Sequence, residues 1–136
     1  MGRASMQFLG SVFVLLAGLS TSAAPPPAHH GRGGMYDVSK LSTIEGTVTE
    51  WAWRNPHVVL YVDVTDADGK VVNWGFESQN VSSLSRLGMS KRSFVFGKEI
   101  SITFNPSSSG APVGLIRRVY DDTGKEVLAW GGPIDQ

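Results

Sequence analysis

From Thr43 to Val48 the chain alternates strictly. Ile44, Gly46 and Val48 fall on one parity, and Thr43, Glu45 and Thr47 on the other. A period of two marks a half-buried β-strand, and Gly46 inside it marks a bend or a close backbone approach. Further along "TIEGTVTEWAWR" the large residues Trp51 and Trp53 switch to the opposite parity. One extra residue near Glu50, a β-bulge, reconciles the two sets. "HVVLYVDVTD" and "KVVNWGFES" follow as two more strands, joined by Asp66-Ala67-Asp68-Gly69, a hairpin turn in which glycine can take positive φ.

The period then lengthens. In "NVSSLSRLG", Val81, Leu84 and Leu87 recur every third residue, with Asn80 placed to cap the start and Gly88 to end it. A helix of about two turns is marginal alone, so it should plug something larger. "KEISITFN", with Ile100, Ile102 and Phe104 on one face, returns to strand. "GLIRRVYD" and "KEVLAW" complete the series around the turn Asp121-Asp122-Thr123-Gly124. Three strands, one helix, two strands and a trailing strand is the plan of the OB-fold, a small Greek-key barrel. The expected fold is therefore mainly β: an OB-fold-like barrel of five to six strands with one short helix between strands three and four. An SH3-like barrel and a five-stranded sandwich are the alternatives, and the helix position favours the first. Closing the sheet also removes exposed edges.

The barrel pattern occupies residues 36–136, and the residues before it read differently. Arg3 followed by the apolar run Phe8–Leu19 and the small residues Ser20–Ala24 has the form of a signal peptide spanning residues 1–23. That run is too short to span a bilayer. Thr21 and Ala23 suit a cut after Ala23, which makes the mature product periplasmic or secreted, with no stable membrane span. Residues 24–35, "APPPAHHGRGGM", lack periodicity and read as a flexible Pro/Gly/His arm. The chain has 12 Lys and Arg, 12 Asp and Glu, and no cysteine. Balanced charge argues against a nucleic-acid partner, which demands a clustered basic face. The dense basic pairs are Lys91-Arg92 and Arg117-Arg118, and adjacent residues on a strand point apart. Without cysteine there are no disulfides, thiolate metal sites, haem c attachment or cysteine nucleophiles.

The candidate chemistry lies in the loops. In an OB-fold the loops between strands one and two and between strands four and five flank one binding face. Here these are Arg54–His57 and Asn105–Gly110, and both contain Asn-Pro. Turn chemistry alone accounts for Asn-Pro; the sharper expectation is a shared rim with His57 over its mouth. Trp51, Trp53 and Trp74 lie on strands one and three. Tryptophan usually fills a core, but two on one open face would make a stacking platform. The candidate ligand-binding set is Trp53, Asn55, His57, Trp74 and Asn105. Glu77 is a polar companion if it is not merely a solvated strand end. His29, His30 and His57, with Met35 and Met89 nearby in sequence, are the residues that would take copper or zinc. No spacing enforces that site, and no motif requires a cofactor. No Ser-His-Asp constellation or carboxylate pair is recognisable, so the reading is non-enzymatic. Asp66-Ala67-Asp68-Gly69 imitates the start of a calcium loop but lacks its other ligands. Asn80-Val81-Ser82, formally a glycosylation sequon, is better explained as a helix cap.

His29-His30, Tyr36-Asp37, "EGTVTEW" (45–51), "NPH" (55–57), "DGKVVNWGFE" (68–77), "LSRLG" (84–88) and "GKEISITFNP" (97–106) run in register along the chain. In these the chain resembles a bacterial domain-of-unknown-function family of small exported proteins with an Asn-Pro-His motif. Here "GRGGM" (31–35) replaces the Ser-Phe type segment that the family places before Tyr-Asp. The resemblance implies an exported protein without an established activity. The family's His pair and Asn-Pro-His fall on His29, His30 and His57, which adds weight to a metal. Three functions follow as expectations. The first is a binding module for a small ligand or an exported protein partner. The second is a copper or zinc binder using His57 with His29 and His30. The third is an accessory subunit of a larger exported enzyme.

Overall fold

The computed structural model describes residues 34–132. The expected signal peptide, most of the expected arm, His29 and His30 lie outside the described residues. Six strands and one helix follow in the order β1 (Ser42–Ala52), β2 (Val59–Thr65), β3 (Val71–Glu77), α1 (Val81–Arg86), β4 (Glu99–Pro106), β5 (Val113–Asp121) and β6 (Glu126–Ala129). Neighbours hydrogen-bond in the order β3-β2-β1-β4-β5-β6, and a parallel pairing of β3 with β5 shuts the sheet on itself. Gly75, Phe76 and Glu77 face Val113, Gly114 and Leu115 across that seam. The result is a closed five-stranded barrel with the OB connectivity, extended by β6 as a sixth strand.

The parity of each strand follows from its burial. Leu60 pairs with Phe76 and Val62 with Trp74, so these four point inward; Val59, Tyr61, Gly75 and Glu77 therefore point outward. The β1–β2 register slips between Val48 and Glu50, the bulge that the change of parity required. It turns Trp51 onto the inward side opposite Leu60. Gly46 answers the other feature of β1. A Cβ there would lie 2.5 Å from the Asp63 carbonyl oxygen and 2.6 Å from a Val62 methyl, so only glycine lets β1 pass so close to β2.

The centre is filled by Val48, Leu60, Phe76, Ile102, Phe104 and Ile116, each essentially solvent-free. Phe76 and Phe104 meet edge to face at 4.9 Å between centroids, a preferred aromatic geometry. Helix α1 adds Leu84, fully buried, to this core. Asn80 caps the helix by accepting the Ser83 N–H at 2.8 Å. Gly88 terminates it with φ +80°. The periodicity extends the buried face one residue too far: Leu87 is the C-cap, its backbone has left helical geometry, and its side chain is 55% exposed.

Candidate functional site

The loop between β1 and β2 runs from Trp53 to Val58. Asn55 and Pro56 are joined by a cis peptide bond. Asn55 is tied to the helix. Its side-chain oxygen accepts the Val81 N–H at 3.2 Å, so this loop supports the helix start alongside Asn80. His57 stands two residues before β2 and not at its first position, and its side chain is 44% exposed. It is on the barrel's surface rather than in the core.

What holds His57 is Glu77, the last residue of β3. His57 Nδ1 lies 2.7 Å from Glu77 Oε1. The other carboxylate oxygen, Oε2, accepts the Tyr36 hydroxyl at 2.8 Å. The Glu77 side chain is 13% exposed, and Tyr36 as a whole 6%. The alternation of β3 sends Glu77 outward. It is nevertheless no solvated strand end, because the segment before β1 covers it. That segment is pinned to the loop between β4 and β5: Tyr36 bridges Ser107, Asp37 N–H donates to Pro106 O at 2.9 Å, and Ser108 N–H donates to Met35 O at 3.0 Å. Three residues from three distant parts of the chain thus form a line, Tyr36–Glu77–His57. With Nδ1 against the carboxylate, the imidazole's remaining nitrogen, Nε2, is the one left to engage a ligand.

The other expected site residues are placed differently. Asn105 is 1% exposed and belongs to β4, which continues through Pro106, so the loop begins later than the Asn-Pro signal implies. Its amide donates to Lys40 O at 2.6 Å and its oxygen accepts from Arg117 at 3.3 Å, which fastens the 36–41 segment to the barrel. Trp74 stacks on Phe76 at 5.8 Å and meets Phe104 edge to face at 5.6 Å, on the inner side of β3. Trp53 packs against the core and lies 5.6 Å from Trp51. Trp51 donates its indole N–H to Ser90 O at 2.9 Å and packs on Phe94. Trp53 and Trp74 are thus partly buried, each with one side packed against the core. Met89 packs against the core, whereas Met35 is 59% exposed. Among the described residues no three His, Cys, Asp or Glu side chains stand together as a metal site.

Tyr36 and Glu77 are what sequence reasoning undervalued. Glu77 sits at a position where either a solvated or a covered carboxylate is consistent with the pattern, and nothing local distinguishes them. Tyr36 lies 41 residues away from it and carries no periodic signal. A surface concavity of about 510 Å³ is lined by Glu45, Glu99, Ser101, Tyr120, Asp121 and Asp122. The acid at its floor is occupied within its own turn: Asp121 accepts from the Thr123 hydroxyl at 2.6 Å and from two backbone N–H groups, and these bonds, the hydroxyl's foremost, hold its carboxyl below the usual carboxylate range.

Fold and surface together define a class: a small OB-type barrel carrying a carboxylate-held histidine on its surface. Within that class the chain belongs to a family of unknown function, DUF6152, whose profile matches residues 16–117. No curated protein matches it. Among solved structures it is similar to a mitochondrial single-stranded DNA binding protein from S. cerevisiae, Rim1, at 9% identity and a TM-score of 0.46; the likeness covers 61% of this chain and 93% of that one.

Proposed function

We propose that this protein is an exported, non-enzymatic binding module, that His57 is its ligand-contacting group, and that the ligand is a borderline divalent metal ion, copper or zinc. The observation that carries this reading is the Tyr36–Glu77–His57 line. Histidines that ligate metals almost always give their other ring nitrogen to a carboxylate or carbonyl, which fixes tautomer and ring orientation and raises ligand basicity. Glu77 at 2.7 Å from Nδ1 is such a partner, and Tyr36 at 2.8 Å fixes the carboxylate in turn. Imidazole suits both copper and zinc.

One histidine does not make a tight site, and His29 and His30 are the further ligands this reading assigns. His30 precedes Tyr36 by six residues. Six residues span at most about 20 Å, and Tyr36 touches the same carboxylate as His57, so the histidine pair is tethered within reach of it. The aromatic-platform reading has less support, because Trp53 and Trp74 are partly buried against the core and the polar atoms of Asn105 are engaged.

The test is calorimetric titration of the protein with Cu(II) and with Zn(II), repeated on His57→Ala, Glu77→Gln and the double variant His29→Ala/His30→Ala. The expected result is saturable binding that His57→Ala abolishes and that Glu77→Gln weakens by about 10- to 100-fold, the usual effect of losing such a supporting carboxylate. Absence of binding by the unaltered protein overturns the proposal. So does binding that is indifferent to His57.

A further inference from the structure

The connection between α1 and β4 has a composition unlike the rest of the molecule. From Leu87 to Lys98 it contains no acidic residue, while Lys91, Arg92 and Lys98 are basic and exposed, as is Arg86 at the end of α1; Glu99, Asp121 and Asp122 line a concavity beside Phe94, Val95 and Lys98. Lys98 lies 3.9 Å from Asp122; the other three have no ion-pair partner among the described residues. Lys91 and Arg92 are not on a strand. They occupy a turn closed by Ser93 N–H donating to Ser90 O at 3.1 Å, so the alternation that separates adjacent side chains on a strand does not apply to them.

The same connection carries the most exposed aromatic ring among the described residues. Phe96 is 78% exposed, Val95 59% and Leu87 55%. These are not frayed positions. Phe94, between the two turns, is buried 4.9 Å from the Trp51 ring. Trp51 also holds Ser90, and Gly97 N–H donates to Val48 O at 2.8 Å. The barrel thus presents an apolar tip at Val95-Phe96 and a cationic turn at Lys91-Arg92 on either side of one buried anchor.

We propose that this connection is a docking surface for an anionic phospholipid membrane. Charge complementarity selects the partner: Lys91 and Arg92, unpaired and with no anion in their own turn, suit a surface of acidic headgroups, where each Lys or Arg adds about fivefold to partitioning. The apolar tip selects lipid over protein. A lipid interface accepts a protruding Phe and Val without a matching pocket. A stable protein interface buries roughly 800 Å² on each side, far more than three side chains supply. The binding would be reversible and salt-sensitive, since it rests on a few cations. It is independent of any ligand at His57.

The chain has no cysteine, so a single one can carry a polarity-sensitive dye. Val95→Cys reports on the tip, and Ala111→Cys, exposed in the β4–β5 loop at the other end of β4, serves as the control. Labelled protein beginning at Ala24, the product of the expected cleavage, is mixed with vesicles of equal parts phosphatidylglycerol and phosphatidylcholine, with phosphatidylcholine alone, and with polyglutamate. The expected result is a blue shift at position 95 and not at 111, with the mixed vesicles only. In parallel, co-sedimentation of unlabelled protein should show partitioning reduced at least tenfold by Lys91→Glu/Arg92→Glu and severalfold by Phe96→Ser. All three substituted residues are solvent-exposed, and circular dichroism verifies that the variants fold. Equal partitioning of parent and variants, or a dye at 95 that does not respond to the mixed vesicles, overturns the proposal. A response to polyglutamate with inert vesicles overturns it in favour of an acidic protein partner.

Discussion

Glu77 is the residue on which the surface depends. An outward-pointing carboxylate at a strand end would ordinarily be wet and unconstrained. Here one oxygen takes the hydroxyl of a buried tyrosine and the other faces an imidazole, so the position of His57 is inherited from two other residues. A hydrogen bond to a charged group contributes about 1.5–3 kcal/mol. Tyr36→Phe should therefore lower the unfolding free energy by roughly 1.5–3 kcal/mol in urea denaturation, without emptying a space. It should also weaken metal binding less than Glu77→Gln does, because it loosens the carboxylate without removing it. A variant as stable as the parent would mean that the Tyr36 hydroxyl is no support. At this scale the sequence is least informative. His57 could be singled out as one of three histidines, but its partners come from positions 36 and 77, and only the barrel brings them together.

At the scale of elements the pattern says much more, because each signal there is local. The bulge near Glu50 follows from the switch of parity between Val48 and Trp51, and the register slips at that place. Asn80 and Gly88 mark the helix ends through the chemistry of capping and of positive φ. Asn-Pro marks a loop at 55–56 but not at 105–106, where Asn105 and Pro106 end a strand, since a buried amide bonded to the Lys40 carbonyl and Arg117 can stand in a ladder. Leu87 misled for the converse reason: its spacing is helical, but the helix stops before it. Gly46 offers the sharpest test of β1. Its missing Cβ is replaced by the Asp63 carbonyl, a backbone atom that cannot swing aside. Gly46→Ala should destabilise by about 1–3 kcal/mol, the usual cost of overpacking, measured as a lowered urea midpoint. An unchanged midpoint would show that β1 and β2 can separate at no cost.

For the whole molecule, closure is what makes the arrangement possible. The parallel β3–β5 seam places Glu77 opposite Leu115, and the same β5 holds Arg117, which bonds Asn105 beneath the 36–41 segment. The segment that covers Glu77 is thus anchored by the sheet that presents it. Barrel order could be read from the element sequence because a helix between strands three and four leaves few topologies. Which outer face would be covered could not, since the covering segment has neither strand alternation nor helical period. The α1–β4 connection lies outside this construction, and its cations and exposed Phe96 make a second surface with its own chemistry.

The proposed role of His57 requires Glu77 to hold its ring with the proton on Nδ1 and Nε2 free for the metal. Long-range ¹H–¹⁵N correlation spectra of the His57 ring, recorded before and after addition of Zn(II), are the decisive measurement. The expected spectra show an Nδ1–H tautomer in the free protein and a shift centred on Nε2 when zinc is added, both lost in Glu77→Gln. A free protein with the proton on Nε2, or a His57 ring unmoved by zinc, would contradict it.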